Sequence, residues 1–182
     1  MNKKMNLSIV IPVLNEGNNI QLLSNKIIQC VKKIDYEIIF VDDNSIDESQ
    51  KILSGLKKKY KFFNPIFRKK KRDLTQSCFD GIKRSKFKNI LIMDGDMQHD
   101  PKYIIPMLRM FKKNDYDIVV GVRPLTKGPN QGLSEIRRFA SNLLIILFSI
   151  FNINTKDPMS GFFILKKNIY IKNKNFFFGK GF

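Results

Sequence analysis

The sequence predicts an α/β protein with a mostly parallel central sheet flanked by helices, because stretches of strand character alternate with stretches of helical spacing. Residues 8–13 form a continuous apolar run, which is typical of a strand covered on both faces. Apolar residues then recur at helical spacing from Ile20 to Val31. With 182 residues, of which 43% are hydrophobic, the chain can bury a core without disulfide or metal support.

The remaining elements continue this alternation. Further strands are predicted at residues 37–41, 64–67, 89–93, 117–121 and 161–165. Pro65 places the short second one of these near a sheet edge, because proline donates no ladder hydrogen bond. Helices are predicted from the capping-box pair Ser45 and Glu48 to about residue 60, over 75–85, from Asp100 and Pro101 to 112, and from Ser134 to about 151. Residues 172–182 show no clear period.

The chain is strongly basic. It carries 33 Lys and Arg against 16 Asp and Glu, a formal net charge of +17. This balance favours an anionic partner, which could be nucleic acid, acidic lipid headgroups or a phosphorylated substrate. The densest basic run comprises Lys57–59, Lys61 and residues 68–72. We interpret it as a solvated or membrane-facing surface and expect no nucleic-acid partner, because the neighbouring Phe62, Phe63 and Phe67 stand at core and strand positions.

Acidic residues follow three predicted strands, at Glu16, at Asp42 and Asp43, and at Asp94 and Asp96. The carboxyl ends of parallel strands lie on one side of a sheet, where ligands bind. A divalent metal ion or sugar hydroxyls would explain so many carboxylates at one edge of a basic chain, since Mg²⁺ and Mn²⁺ prefer oxygen ligands. Asp-rich turns and helix caps are the alternative, which we favour for Asp100 but not for the Asp94–Gly95–Asp96 element.

Other common active-site signatures are missing from the sequence. No G-x-G-x-x-G follows a strand, and no G-x-x-x-x-G-K-[ST] occurs. The chain has one histidine, His99, which argues against a His-based metal site and a Ser-His-Asp triad. We interpret His99 as a loop residue that could line the site, since it follows Asp96 by three positions.

Several short motifs occur in an order and spacing that together are specific. They are residues 11–16 (IPVLNE), 41–47 (VDDNSID), 93–99 (MDGDMQH), 120–123 (VGVR) and 157–162 (DPMSGF), with Arg137 and Ser141 in the predicted helix between the last two. Over about residues 7–165, the chain resembles family 2 glycosyltransferases of the dolichyl-phosphate or polyprenyl-phosphate mannose or glucose synthase type. The resemblance implies a GT-A fold and an enzyme that uses a nucleotide sugar.

The same resemblance implies roles for individual residues. Donor binding would fall to Pro12, Val13, Glu16, Val41, Asp42, Asp43, Asp94 and Gly95. Mg²⁺ or Mn²⁺ would be held at the DXD element by Asp94, Asp96 and Gln98. The catalytic residues would be Asp94, Asp96 and Arg123, with Arg123 contacting phosphate, and Arg137 and Ser141 would bind the acceptor phosphate.

A lipid-phosphate acceptor agrees with the chemistry of phosphate and with one absence in the sequence. A phosphate monoester is mostly anionic at neutral pH and can attack an anomeric carbon without a general base. The chain contains no Trp, so it lacks the Q-x-x-R-W element of processive polysaccharide synthases. We therefore expect one inverting transfer of a hexose from a GDP-mannose or UDP-glucose type donor to a polyprenyl phosphate. The predicted helix from Ser134 is either a buried core helix or an interfacial helix that receives the prenyl chain.

We expect a single catalytic domain over residues 1–182, shortened at its C-terminus relative to the family, with Asp73 and Ser77 replacing a usual Gly and Ala. A cytoplasmic location is expected, peripheral on the cytoplasmic face of the membrane. Two other functions stay open: a nucleotide-sugar-binding remnant without turnover, and a transferase with a hydroxyl acceptor in cell-envelope polysaccharide synthesis. The sequence identifies neither the sugar nor the oligomeric state.

Overall fold

The computed structural model describes residues 5–122 and 160–174. These form a six-stranded sheet with the order β3-β2-β1-β4-β6-β5. The strands are β1 (Asn6–Val13), β2 (Asp35–Asp42), β3 (Ile66–Phe67), β4 (Asn89–Ile92), β5 (Ile118–Val120) and β6 (Phe163–Lys166). The helices are α1 (Gly17–Val31), α2 (Ser49–Lys59), α3 (Leu74–Arg84), α4 (Ile104–Lys113) and α5 (Lys167–Asn173).

The predicted α/β class and mostly parallel sheet are confirmed. Strands β1 to β4 pair in parallel, whereas β6 runs antiparallel to its neighbours β4 and β5. The short strand β3 lies at an edge, as the position of Pro65 predicts. From β1 the chain adds β2 and β3 on one side and then places β4 on the other. The strand order therefore reverses between β1 and β4, and ligands of such sheets bind at this position.

Both faces of the sheet are covered, which explains the continuous apolar character of β1. Leu7, Ile9 and Ile11 of β1 pack with α1, α2 and α4 on one face, while Val10 packs with α3 and α5 on the other. Each of these four side chains is fully buried. A parallel sheet covered on both faces needs apolar residues at consecutive strand positions, because successive side chains point to opposite faces.

The predicted capping box at the start of α2 is wrong. The helix begins at Ser49, and Glu48 precedes it without a side-chain capping bond. The Ser45 hydroxyl instead accepts a hydrogen bond from the backbone N–H of Asn15, at 2.8 Å. The Ser45 hydroxyl therefore accepts from a residue in the loop after β1 and not from the first turn of α2, as the local sequence pattern had predicted.

The predicted helix start at Asp100 and Pro101 is confirmed. Asp100 accepts from the backbone N–H of Lys102 at 3.0 Å and begins a 3₁₀ turn, Pro101–Tyr103, which leads directly into α4. Two elements have a different outcome. Helix α5 was not predicted, and the helix predicted from Ser134 to about 151 lies outside the described residues.

Candidate functional site

The acidic residues predicted to share one sheet edge do share it. Glu16 follows β1, Asp42 ends β2, Asp43 follows it, and Asp94 and Asp96 follow β4. Because β1, β2 and β4 are parallel, all of these residues lie at the carboxyl edge, and those after β1 and β4 flank the point where the strand order reverses. The three elements thus form one candidate site.

The loops after β1 and β2 are joined by reciprocal hydrogen bonds. The Asn15 side chain accepts from Ile46 N–H at 2.9 Å, while the backbone N–H of Asn15 donates to the Ser45 hydroxyl. The Ser49 hydroxyl accepts from Glu16 N–H at 3.0 Å. Asn15 and Asn44 have φ angles of 57° and 63°, a left-handed conformation that Asn tolerates better than most residues. These bonds fix the backbone that carries Glu16 and Asp42.

Asp42 offers an unused acceptor inside the protein. Its side chain is fully buried, and its Oδ1 accepts from Ser45 N–H at 3.1 Å and from Gln50 Nε2 at 2.8 Å. Its Oδ2 is buried without a hydrogen-bond partner among the described residues. A buried carboxylate oxygen without a donor costs free energy, so this atom is suited to accept a hydrogen bond from a ligand.

The adjacent Asp43 is held by protein groups instead. Its Oδ1 pairs with Arg68 Nη1, and its Oδ2 accepts from Asp73 N–H at 2.6 Å. Arg68 also donates to Ser77 Oγ at 3.0 Å and pairs with Asp80 at 3.1 Å. Burial raises the pKa of Asp43, whereas the hydrogen bond from Asp73 and the charge of Arg68 oppose that rise.

Arg68 corrects the interpretation of the basic run. The prediction placed the whole run, including Arg68, on a solvated or membrane-facing surface, but the Arg68 side chain is only 5% exposed. An arginine remains charged when buried and therefore needs carboxylate partners, here Asp43 and Asp80. One sequence signal could have revealed it: Arg68 directly follows strand β3, as Asp43 directly follows strand β2. The neighbouring residues 69–72 are exposed, as predicted.

The carboxylates after β1 and β4 repel one another. Burial raises the pKa of Asp96, and the charge of Asp94 adds to that rise. Burial also raises the pKa of Glu16, with further increases from the charges of Asp96, Asp47 and Asp94. The Asp96 Oδ1 accepts from Gln98 N–H at 3.0 Å, and Gln98 itself is exposed. A bound cation would relieve this repulsion.

The donor set fits a hard cation that shares its coordination with a substrate. No group of three or more His, Cys, Asp or Glu side chains forms a metal centre within residues 5–122 and 160–174. Two carboxylates, Asp94 and Asp96, nevertheless match the one or two that Mg²⁺ usually takes from protein when phosphates supply further oxygens.

Two glycines allow close packing around Asp94 and Asp96. A Cβ at Gly95 would lie 2.6 Å from Val13 Cγ1, so only glycine fits between the two aspartates and β1. A Cβ at Gly161 would overlap the carboxylate of Asp94. Backbone of the S-G-F element therefore lies directly against Asp94, a contact that the sequence did not reveal.

His99 and the segment 160–162 complete the surroundings of Asp94. His99 Nε2 lies 3.5 Å from Asp94 Oδ2, and its ring stacks on Phe162 at a centroid distance of 5.2 Å. The Ser160 hydroxyl donates to Gly121 O at 2.5 Å, which joins this segment to the end of β5. The interpretation of His99 as a residue near the site is thus consistent with its position.

The remaining predicted site residues divide into two groups. Pro12, Val13 and Val41 are buried, and the Val13 and Val41 side chains pack into the core on opposite faces of the sheet. Arg123, Arg137 and Ser141 lie outside the described residues, as do residues 157–159 of the last motif. No helix in the described part of the chain is both long and apolar enough to cross a membrane.

Comparison with curated proteins identifies relatives over most of the chain. It is 33% identical over 168 residues to a dolichol-phosphate mannosyltransferase of Pyrococcus furiosus, covering 91% of this chain and 47% of the relative. It is 29% identical over 177 residues to the dolichol-phosphate mannosyltransferase of Saccharomyces cerevisiae, covering 92% and 63%. The chain therefore spans about half to two thirds of the length of these relatives.

Solved structures of glycosyltransferases share the fold. A Pyrobaculum calidifontis mannosyltransferase in complex with GDP-Man and Mn²⁺ has a TM-score of 0.65 at 13% identity, over 94% of this chain and 47% of its own. S. aureus TarS has a TM-score of 0.63 at 16% identity, over 93% and 49%. The predicted GT-A fold is confirmed by these neighbours. The family model described as glycosyl transferase family 2 matches residues 8–174, and the chain therefore belongs to that family of glycosyltransferases.

Proposed function

We propose that this protein transfers one hexose, with inversion, from a nucleotide sugar to a polyprenyl phosphate. The observation that carries the proposal is the convergence of Glu16, Asp94 and Asp96 at the strand-order reversal, beside the unpartnered Oδ2 of Asp42. The relatives named dolichol-phosphate mannosyltransferase support this acceptor class and transfer of mannose, and the solved mannosyltransferase complex with GDP-Man supports a GDP-mannose type donor, with UDP-glucose as the other candidate.

Donor binding would use the edge formed by β1 and β2. The Oδ2 of Asp42 would accept a hydrogen bond from the base or ribose, because it has no donor among the described protein groups. Asp43, held by Arg68 and Asp73, would form a fixed wall of the same pocket. The buried Pro12, Val13 and Val41 would contribute backbone and shape there, and Glu16 would face the ribose.

The proposal places Mg²⁺ or Mn²⁺ at Asp94 and Asp96, with Gln98 as a further ligand. When bound, the metal would neutralise charge on the departing nucleoside diphosphate. The chain's own part is to hold the two carboxylates in place. His99 and the Gly161 backbone constrain Asp94, while Gly95 lets the turn approach β1. The Mn²⁺ in the Pyrobaculum calidifontis mannosyltransferase supports a divalent metal as the cofactor.

In the proposed transfer, an acceptor phosphate oxygen bonds to the anomeric carbon while the bond from that carbon to the nucleoside diphosphate breaks. The acceptor oxygen carries no proton that must be removed, because a phosphate monoester has a second pKa of about 6. The one histidine, His99, is buried between Asp94 and Phe162, which agrees with a reaction that needs no histidine base. Arg123 would contact phosphate, and Arg137 and Ser141 would bind the acceptor phosphate.

The proposal treats residues 1–182 as one catalytic domain that works at the cytoplasmic face of a membrane. Its test is incubation with GDP-mannose or UDP-glucose, a short-chain polyprenyl phosphate and Mn²⁺, followed by mass spectrometry of the products. We expect a hexosyl-phosphoprenol only when metal is present. Product on an added sugar hydroxyl instead would contradict the acceptor, and donor binding without any product would indicate a nucleotide-sugar-binding remnant.

A further inference from the structure

Three consecutive lysines lie beside the candidate site. Lys69, Lys70 and Lys71, here called the lysine run, follow strand β3 and are all exposed. Because β3 is parallel to β2, they lie at the same edge of the sheet as Asp42. The neighbouring Arg72 Nη2 donates to Asn44 O at 3.1 Å, which joins this segment to the loop after β2.

Local structure does not explain positive charge at this position. Seven other basic groups occupy the last turns of helices, where the helix dipole favours cations: Lys57, Lys58 and Lys59 in α2, Lys83 and Arg84 in α3, and Lys112 and Lys113 in α4. The lysine run instead precedes Asp73, the N-cap of α3. Cations are disfavoured at that end of a helix, so these lysines carry an electrostatic cost that a partner could offset.

The run is also not neutralised within the described structure. No Asp or Glu of residues 5–122 or 160–174 forms an ion pair with Lys69, Lys70 or Lys71. Asp43 and Asp80, acidic groups close in the fold, pair with Arg68. The three ammonium groups are therefore available to an external anionic surface.

The position of the run selects the kind of surface. The proposed function requires a lipid phosphate to reach the carboxyl edge of the sheet, and this inference rests on that function. The lysines of α2 lie near the other end of β2, since Tyr60 and Phe62 just beyond them pack with each other and Phe62 packs on Tyr36. Tyr36 and Asp42 are six residues apart in one strand, roughly 20 Å. A membrane against the α2 lysines would hold the site too far from the headgroups.

We propose that Lys69, Lys70 and Lys71 dock the protein on anionic lipid headgroups, so that the carboxyl edge of the sheet faces the membrane. Each lysine near such a surface strengthens binding by about five-fold, so three together contribute roughly 100-fold. In this orientation the α2 lysines lie more than two Debye lengths from the headgroups at physiological salt and contribute little.

The test compares two triple variants that remove equal charge. Co-sedimentation is measured with vesicles of phosphatidylcholine alone and with added phosphatidylglycerol, at physiological salt. We expect K69Q/K70Q/K71Q to lose roughly 100-fold in affinity for the anionic vesicles, and K57Q/K58Q/K59Q to stay within about 3-fold of the unmodified protein. Equal losses in both variants, or no loss in the first, would overturn the proposal.

Two further measurements exclude other ligands of the run. Titration with GDP-mannose and Mn²⁺ without vesicles should give the same affinity for K69Q/K70Q/K71Q as for the unmodified protein; a loss would assign the lysines to the donor and overturn the proposal. A short RNA that binds as tightly as the vesicles, and is lost in the same variant, would also overturn it. Vesicle binding requires no sugar transfer. If the two triple variants differ in vesicle affinity as expected but the protein forms no product, the proposed function is contradicted and the docking proposal is supported.

Discussion

The two ends of the central sheet both contain a buried carboxylate, but the two carboxylates differ in how many of their oxygens have hydrogen-bond partners. At the amino end, Glu37 accepts from Ser8 Oγ at 2.5 Å, from Lys86 N–H at 2.6 Å and from Asn64 Nδ2 at 3.1 Å. At the carboxyl end, Asp42 leaves one buried oxygen without a described partner. Both residues belong to β2 and both are almost completely buried.

The difference separates a structural carboxylate from a binding one. Glu37 uses both of its oxygens to join β1, β2 and the segment before β4, so its burial is compensated within the fold. Asp42, Asp94, Asp96 and Glu16 are left with a free acceptor or with mutual repulsion, which a ligand or cation would remove. Burial of a carboxylate is therefore no sign of function by itself; incomplete compensation is.

Arg68 is a buried structural residue at the carboxyl end of the sheet. Its substitution should have the largest effect on stability. Arg68→Met leaves the buried Asp43 without its cation, which should lower the free energy of unfolding by about 3–5 kcal/mol. Urea denaturation measures the loss. Arg72→Met is the matched control, because this exposed arginine makes one hydrogen bond to a backbone carbonyl and should cost under about 1 kcal/mol. Similar losses in the two variants would show that Arg68 does not hold Asp43.

Asp94 should matter to transfer far more than to folding. Asp94→Asn keeps the shape of the side chain but removes the charge proposed to hold the metal, and should reduce the transfer rate at least about 100-fold. Asp100→Asn controls for charge in the same loop, since the exposed Asp100 caps the 3₁₀ turn before α4 and pairs with Lys102. Transfer is measured by product mass spectrometry at fixed donor and Mn²⁺. Equal rates in the two variants would contradict the role of Asp94.

The pair Glu37→Gln and Asp42→Asn tests the comparison itself. Three donors converge on Glu37, so an amide would direct an N–H group at one of them, and stability should fall by about 1–3 kcal/mol. In Asp42→Asn the amide oxygen can keep the bonds from Ser45 and Gln50, while the NH₂ group replaces the unpartnered oxygen. The stability of that variant should change less.

Nucleotide-sugar binding by the same two variants should change in the opposite order. We expect folded Glu37→Gln protein to bind the donor normally and Asp42→Asn protein to bind it more weakly. Thermal unfolding and donor titration on the same samples give both quantities. If Asp42→Asn is the less stable variant and binds donor normally, the structural role given to Glu37 and the binding role given to Asp42 are contradicted.

Two glycine substitutions should have the smallest effects. Gly161→Ala would push a methyl group against the Asp94 carboxylate and should weaken metal-dependent donor binding about 10-fold. Gly55→Ala, in α2, meets no atom within 4 Å and should stabilise the protein by up to about 1 kcal/mol. Donor titration and thermal unfolding check both. Normal donor binding by Gly161→Ala would show that the S-G-F backbone does not position Asp94.

The sequence predicts the scaffold well because continuous apolar runs indicate strands that are buried on both faces. The runs that became β1 and β4 have this character, and acidic residues after parallel strands must share an edge. The sequence could not distinguish Asp42 from Asp43, since their different partners, Gln50 and Arg68, are brought in by tertiary structure. Ser45 shows the same limit, because Asn15 takes the oxygen that a local capping pattern had assigned to α2.

The most direct test of the account is calorimetric titration of GDP-mannose into the unmodified protein and into Asp96→Asn, each with and without Mn²⁺. The account predicts that Mn²⁺ strengthens donor binding to the unmodified protein and has little effect on the variant. Equal enhancement by Mn²⁺ in both proteins would contradict a metal-dependent nucleotide-sugar site at the carboxyl end of the sheet.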